Sequence, residues 1–209
     1  MNAVREVILV HGLWVPAVVM TPLAARLHAA GFRCHLFGYP GRERPLAAHA
    51  ERLARFAQGI GQPHFVGHSL GGLVVLEALE GHRGTKTGNV VLMGAPVTGN
   101  FAGRRLAQHG WGRWFLGASE PLWREGRSAR WTRPEPLGVL AGTLPLGLGR
   151  LLGRLPGQND GVVRVEETEV EGMRERVLLP VGHSAMLVSA RVAAQVLSFL
   201  SDARFLPRA

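Results

Sequence analysis

A chain of 209 residues with 46% hydrophobic content can bury one substantial core, so a single domain over 1–209 is expected. Its 24 Lys+Arg against 15 Asp+Glu give a formal charge of +9, compatible with peripheral contact at an anionic membrane, but Lys86 is the only lysine and charge alone does not choose a partner, so no specific nucleic acid and no obligate protein partner is read from it. Cys34 is the only cysteine, which excludes an intrachain disulfide, and the most apolar long stretch, Leu137–Leu152, is broken by Pro145 and Arg150 and falls short of the about 20 apolar residues of a membrane span.

At the N-terminus, Glu6 precedes a very short apolar run with no small-residue cleavage site, so this is not a signal peptide and a cytoplasmic protein is the expectation. Val7–Val10 is continuously apolar, as a strand buried on both faces of a parallel sheet must be, and His11-Gly12-Leu13-Trp14 turns the chain out of it. Val19, Leu23 and Leu27 predict a helix over Pro16–Ala30, stopped by Gly31. Phe32–Phe37 is the second strand. Pro45–Gly59 is the second helix, with Leu46, Leu53 and Phe56 inward. His64–Val66 is the third strand, followed by a helix carrying Leu70, Leu73, Val74, Leu76 and Leu79. Asn89–Met93 is the fourth strand, and the repeated alternation of strand and helix predicts crossover connections and a parallel sheet.

Val97–Pro136 breaks that rhythm with scattered aromatics, many arginines and no strand pattern. An excursion of this length is either a lid-like insertion over a site or a Trp-anchored surface subdomain; Leu106–Leu116 is a candidate short helix within it. Gly138–Gly142 is the fifth strand. Thr143–Gly157 is a Gly-rich loop with room for one helical turn, Arg176–Val181 the sixth strand, and Met186–Leu200 the closing helix.

Gly67-His68-Ser69-Leu70-Gly71, set between strand and helix, matches the G-x-S-x-G nucleophile elbow, in which a strained turn presents a serine and glycines clear the close approach of strand and helix. A serine hydroxyl needs an imidazole to take its proton and a carboxylate to hold that imidazole in the right tautomer. In a parallel sheet these groups come together at the carboxyl ends of strands. Ser69 follows strand three, Asp160 lies in the loop after strand five and His183 follows strand six, which gives Ser69, Asp160 and His183 as the catalytic set. The other aspartate, Asp202, lies beyond the last helix; Glu166 and Glu167 stay open as alternative acids. His11 is a rival base at a strand end, although it precedes the serine and sits where a structural His-Gly is expected. Backbone N–H groups of Leu13 and Leu70 are the expected oxyanion donors. Trp14, His68 and Met186 are the expected substrate contacts. No Walker A run, paired cysteines or H-E-x-x-H spacing occurs, so neither cofactor nor metal is expected.

Together, His11-Gly12, the elbow through Gly72, Asn159-Asp160-Gly161-Val162-Val163 and Gly182-His183 resemble the α/β-hydrolase superfamily, in particular its lipase-like branch. The resemblance spans nearly the whole chain. It implies a six-stranded, mostly parallel sheet flanked by helices on both faces, of the minimal size for that fold, with the lid-like insertion at 97–136 after the fourth strand. It also implies an esterase or lipase acting on small-molecule or lipid esters through an acyl-enzyme, with Ser69, Asp160 and His183 as triad. Two other functions fit the residues: acyl transfer with the same triad, and a non-catalytic protein that binds an anionic surface.

Overall fold

The computed structural model describes residues 5–119, 121, 129–146 and 155–207. Six strands form one sheet: β1 (Arg5–Val10), β2 (Phe32–Phe37), β3 (His64–His68), β4 (Val90–Met93), β5 (Leu137–Gly142) and β6 (Glu175–Leu179). Their order is β2-β1-β3-β4-β5-β6, and every adjacent pair is parallel.

The continuous apolar runs have a simple cause in this sheet. Successive side chains along a strand point to opposite faces, and both faces are covered. Thus Ile8 and Val10 enter one core with Phe65, Val90, Leu92 and Val139, beneath α2 (Leu46–Gln58) and α3 (Leu70–Gly81). Val7 and Leu9 enter the other with Val66, Val91, Met93 and Leu140, beneath α1 (Thr21–Ala29) and, near the carboxyl end of the chain, a 13-residue helix over Ala190–Asp202.

Several helix boundaries differ from the sequence expectation, each for a local reason. Pro22 has no N–H to extend a helix from Pro16, so Ala17–Met20 is a 3₁₀ turn and α1 starts afresh at Thr21. Gly31, at φ +89°, follows its end. In α2, Leu46 and Leu53 are buried, but Phe56 lies 39% exposed, tilted on Phe37 at a 5.4 Å centroid distance. The short helix expected at Leu106–Leu116 is two helices, α4 (Phe101–Ala107) and α5 (Gly110–Leu116), with Asn100 capping the first by accepting from Gly103 N at 2.6 Å. The closing helix, labelled α6, begins at Ala190 instead of Met186. Ser184–Leu187 is a 3₁₀ turn, and the Ser189 side chain caps α6 by accepting from Val192 N. Trp123, one of the insertion's aromatics, and the centre of the loop in which a helical turn was expected (147–154) lie outside the described residues. Among the described residues, no helix is long and apolar enough to cross a membrane.

Candidate active site

Ser69 occupies the turn between β3 and α3 with φ 54° and ψ −125°, a conformation that costs a β-substituted residue roughly 1–3 kcal/mol. Contacts on all sides impose it. Ser69 N donates to the Met93 carbonyl at 2.9 Å, and the Ser69 carbonyl accepts from Gly72 N at 2.9 Å. A Cβ on Gly67 would stand 2.6 Å from Gly72 Cα, one on Gly71 would stand 2.3 Å from the Val10 carbonyl oxygen, and one on Gly72 would stand 2.5 Å from Ala95 Cβ. The three glycines let the elbow close between its neighbouring strands.

Asp160 sits in a turn built by its own sequence. Asn159 Oδ1 accepts from Gly161 N at 3.0 Å, Gly161 takes φ +95°, and Asp160 N donates to the Val163 carbonyl at 3.0 Å. The carboxylate is 1% exposed, and its Oδ1 accepts from Val162 N at 2.9 Å and Val163 N at 2.7 Å. Its Oδ2 lies 2.7 Å from His183 Nδ1. Asp160 also holds the backbone of His183, whose N–H donates to the Asp160 carbonyl at 2.9 Å. The aspartate therefore controls both the ring and the main chain of the histidine.

Gly94, directly after β4, fits against this pair. With φ +54° it lies so close that a Cβ would stand 3.0 Å from Asp160 Oδ2 and 3.2 Å from His183 Nδ1. In the sequence Gly94-Ala95-Pro96 simply ends the fourth strand, and nothing local marks Gly94 as a neighbour of Asp160 or His183.

The rival groups are occupied elsewhere. His11 Nδ1 is 2.7 Å from the Gly12 carbonyl, which can only accept, so this nitrogen carries the proton; His11 Nε2 then accepts from Tyr39 N at 3.2 Å. Burial pushes the His11 pKa down, and the bond to Gly12 opposes this only in part. Both ring nitrogens serve the loop. Glu167 is buried and accepts from Phe101 N at 2.6 Å, Arg164 N at 2.8 Å and Arg164 Nε at 3.1 Å, tying the turn that carries Asp160 to the start of α4. Glu166 is mostly exposed and pairs with Arg164. Neither glutamate meets His183.

Leu70 opens α3, and Leu13 is buried beside Gly12, where a Cβ would stand 3.0 Å from Ser69 Cβ. Gly41 lies over both leucines: a Cβ there would be 3.2 Å from Leu13 Cδ1 and 3.5 Å from Leu70 Cδ2. Of the three expected substrate contacts only Trp14, 48% exposed, presents surface. Met186 is fully buried, its Cε against Gly142, and His68 is enclosed beneath the elbow; both belong to the frame of the site because their side chains pack inward. Exposed apolar side chains do gather on segments that leave the carboxyl ends of the strands: Trp14 and Val18 after β1, Trp114 after β4, Leu144 and Leu146 after β5, and Val188 after β6. Arg42 lies over the Trp114 ring at 4.7 Å and donates to its carbonyl, which joins the loop after β2 to the insertion. Among the described residues, no three His, Cys, Asp or Glu side chains converge so as to hold a metal ion.

A model of the alpha/beta hydrolase family matches residues 7–195. No curated protein matches the sequence. Among solved structures, the chain is similar to the mature form of a Bacillus licheniformis lipase, at 16% identity and TM-score 0.75, over 98% of this chain and 94% of that one. It is similar to a hydrolase from Pseudomonas aeruginosa at 17% identity and TM-score 0.69, over 96% and 91%. An esterase from Exiguobacterium antarcticum matches at 16% identity and TM-score 0.69, over 97% and 94%. At such low identity these likenesses concern the fold alone.

Proposed function

The chain belongs to the alpha/beta hydrolase family, and on that premise we propose that it is a carboxylic ester hydrolase in which Ser69 is the nucleophile, His183 the base and Asp160 the acid. The observation that carries this reading is the hold of Asp160 on His183, by side chain and by main chain, at the sheet edge where the strained elbow presents Ser69.

In this mechanism the Ser69 hydroxyl attacks the acyl carbonyl while His183 Nε2 takes its proton. His183 Nδ1–H stays bonded to Asp160 Oδ2, which favours the imidazolium as it forms. The N–H groups of Leu70 and Leu13 receive the developing oxyanion. His183 then gives the proton to the departing alkoxide, leaving an acyl-enzyme. Water, deprotonated by the same imidazole, releases the acid and restores Ser69.

The exposed apolar surface of Trp14, Val18, Leu144, Leu146 and Val188, on segments that follow the carboxyl ends of the strands, favours esters with apolar acyl chains. Together with the net positive charge, it also suits peripheral contact with an anionic membrane, which added salt would weaken. The lipase and esterase names of the similar structures agree with an ester substrate. Acyl transfer to an alcohol uses the same residues, and product analysis with added alcohols separates the two outcomes. The test of the leading reading is a panel of p-nitrophenyl esters from short to long acyl chains. Turnover lost in Ser69→Ala is the expected result; no turnover at any chain length contradicts it.

A further inference from the structure

His68 is the last residue of β3 and the covalent neighbour of Ser69, and its side chain is only 4% exposed. Its Nε2 lies 3.1 Å from the main-chain oxygen of His183, and the two rings meet at a 4.7 Å centroid distance, tilted by 44°. A carbonyl oxygen only accepts, so the His68 proton resides on Nε2. His68 Nδ1 is bare, buried and without a hydrogen-bond partner among the described residues. Burial pushes the ring's pKa down to about 3, with His183 and His11 opposing a second positive charge and Asp160 and the His183 carbonyl acting the other way. One neutral tautomer with one donor results.

This bond joins two parts of the site, the elbow and the loop after β6, between which no backbone hydrogen bond runs among the described residues. Asp160 secures His183 from the loop after β5, whereas His68 secures it from the elbow itself. We propose that His68 is a positioning residue: its Nε2–H, donated to the His183 carbonyl, sets the spacing between the base and Ser69. The inference deepens the hydrolase reading and rests on it.

The side-chain geometries give a discriminating set of variants. A glutamine amide nitrogen can reach the position of Nε2, an asparagine amide reaches only that of Nδ1, and leucine fills the space without a donor. We would measure kcat and KM on a p-nitrophenyl ester, the rate at which a fluorophosphonate labels Ser69, and the melting temperature, for wild type and His68→Gln, His68→Asn and His68→Leu. His68→Gln should stay within about threefold of wild type, while His68→Asn and His68→Leu lose roughly 10–100-fold in kcat and labelling rate at little-changed KM, the scale of a catalytic group displaced by a fraction of an ångström to 1 Å. Equal rates in all four proteins overturn the inference, as do losses that follow melting temperature instead of donor position, or losses confined to KM.

A second readout needs no turnover. In ¹⁵N-histidine NMR, His68 should show a protonated Nε2 and a bare Nδ1 from about pH 5 to 8; a protonated Nδ1 overturns the inference. Ser69→Ala and His183→Ala serve as controls. Full activity in either removes the hydrolase reading itself, a result distinct from inactive controls with unaffected His68 variants.

Discussion

Replacing Asp160 by asparagine should flip the tautomer of His183, and the surrounding contacts dictate the direction. Oδ1 of Asp160 accepts from the N–H groups of Val162 and Val163, at 2.9 and 2.7 Å, while Oδ2 faces His183 Nδ1 at 2.7 Å. A carboxamide has one oxygen and one NH₂. Turning the NH₂ toward the two backbone donors would leave both unsatisfied in a buried turn, at about 1–3 kcal/mol each. The oxygen therefore stays in the Oδ1 position, and the NH₂ faces His183 Nδ1. That nitrogen must then accept, so the ring's single proton moves to Nε2, the atom that takes the Ser69 proton in the proposed mechanism. Loss of about 10⁴-fold in kcat is expected, the scale seen when a triad aspartate becomes an amide. The turn keeps both backbone bonds, so the melting temperature should change little. Steady-state kinetics on a p-nitrophenyl ester with a thermal melt checks both parts. A loss of less than about tenfold in a well-folded Asp160→Asn protein would refute the reasoning that Asp160 sets the tautomer.

Three other perturbations have defined outcomes. Gly94→Ala combines a left-handed φ of +54° with a Cβ 3.0 Å from Asp160 Oδ2, so it should cost about 1–2 kcal/mol of stability and lower kcat more than it raises KM, read by denaturant melts and kinetics. His68 stays neutral in the fold with a pKa near 3 against about 6.5 unfolded; the unfolded chain thus binds the extra proton, and stability present above pH 6.5 drains away on acidification, by about 2 kcal/mol from this residue at pH 5. Burial holds His11, His49 and His64 below their ordinary range too and adds to the same trend, so urea midpoints should fall from pH 7.5 to 5, with a shallower fall in His68→Gln. Glu167→Ala leaves Phe101 N and Arg164 N without their buried acceptor, while the Arg164 guanidinium keeps its pair with Glu166, and should destabilise by about 2–4 kcal/mol in urea melts, far beyond the effect of Glu166→Ala.

Much of the fold was legible because a doubly covered parallel sheet leaves a local signature. Val7–Val10 and Val90–Met93 are apolar at every position since each face meets a helix layer. The elbow was legible for a similar reason: Gly67, Gly71 and Gly72 are dictated by contacts of a strand with its own following helix and with adjacent strand ends. Less legible was whatever depends on distant partners. Apolar spacing from Met186 onward runs continuously into α6, and only the Ser189 cap divides the 3₁₀ turn from the helix. Periodicity could not show that Met186 faces Gly142 and the core instead of a substrate, or that His68 reaches a carbonyl 115 residues away. Gly94 gave no sign of its place against Asp160 and His183, since glycine after a strand is compatible with any turn. Glu167, an alternative acid in the sequence, ties the turn that carries Asp160 to α4, a role written in the position of Phe101 N and Arg164 and not in the local pattern.

The most direct test is covalent. Incubating the protein with a fluorophosphonate and locating the adduct by intact and peptide mass spectrometry should give one label per chain, on Ser69, and none in Ser69→Ala. An unlabelled chain, or an adduct on another residue that persists in Ser69→Ala, would contradict the assignment of Ser69 as the nucleophile.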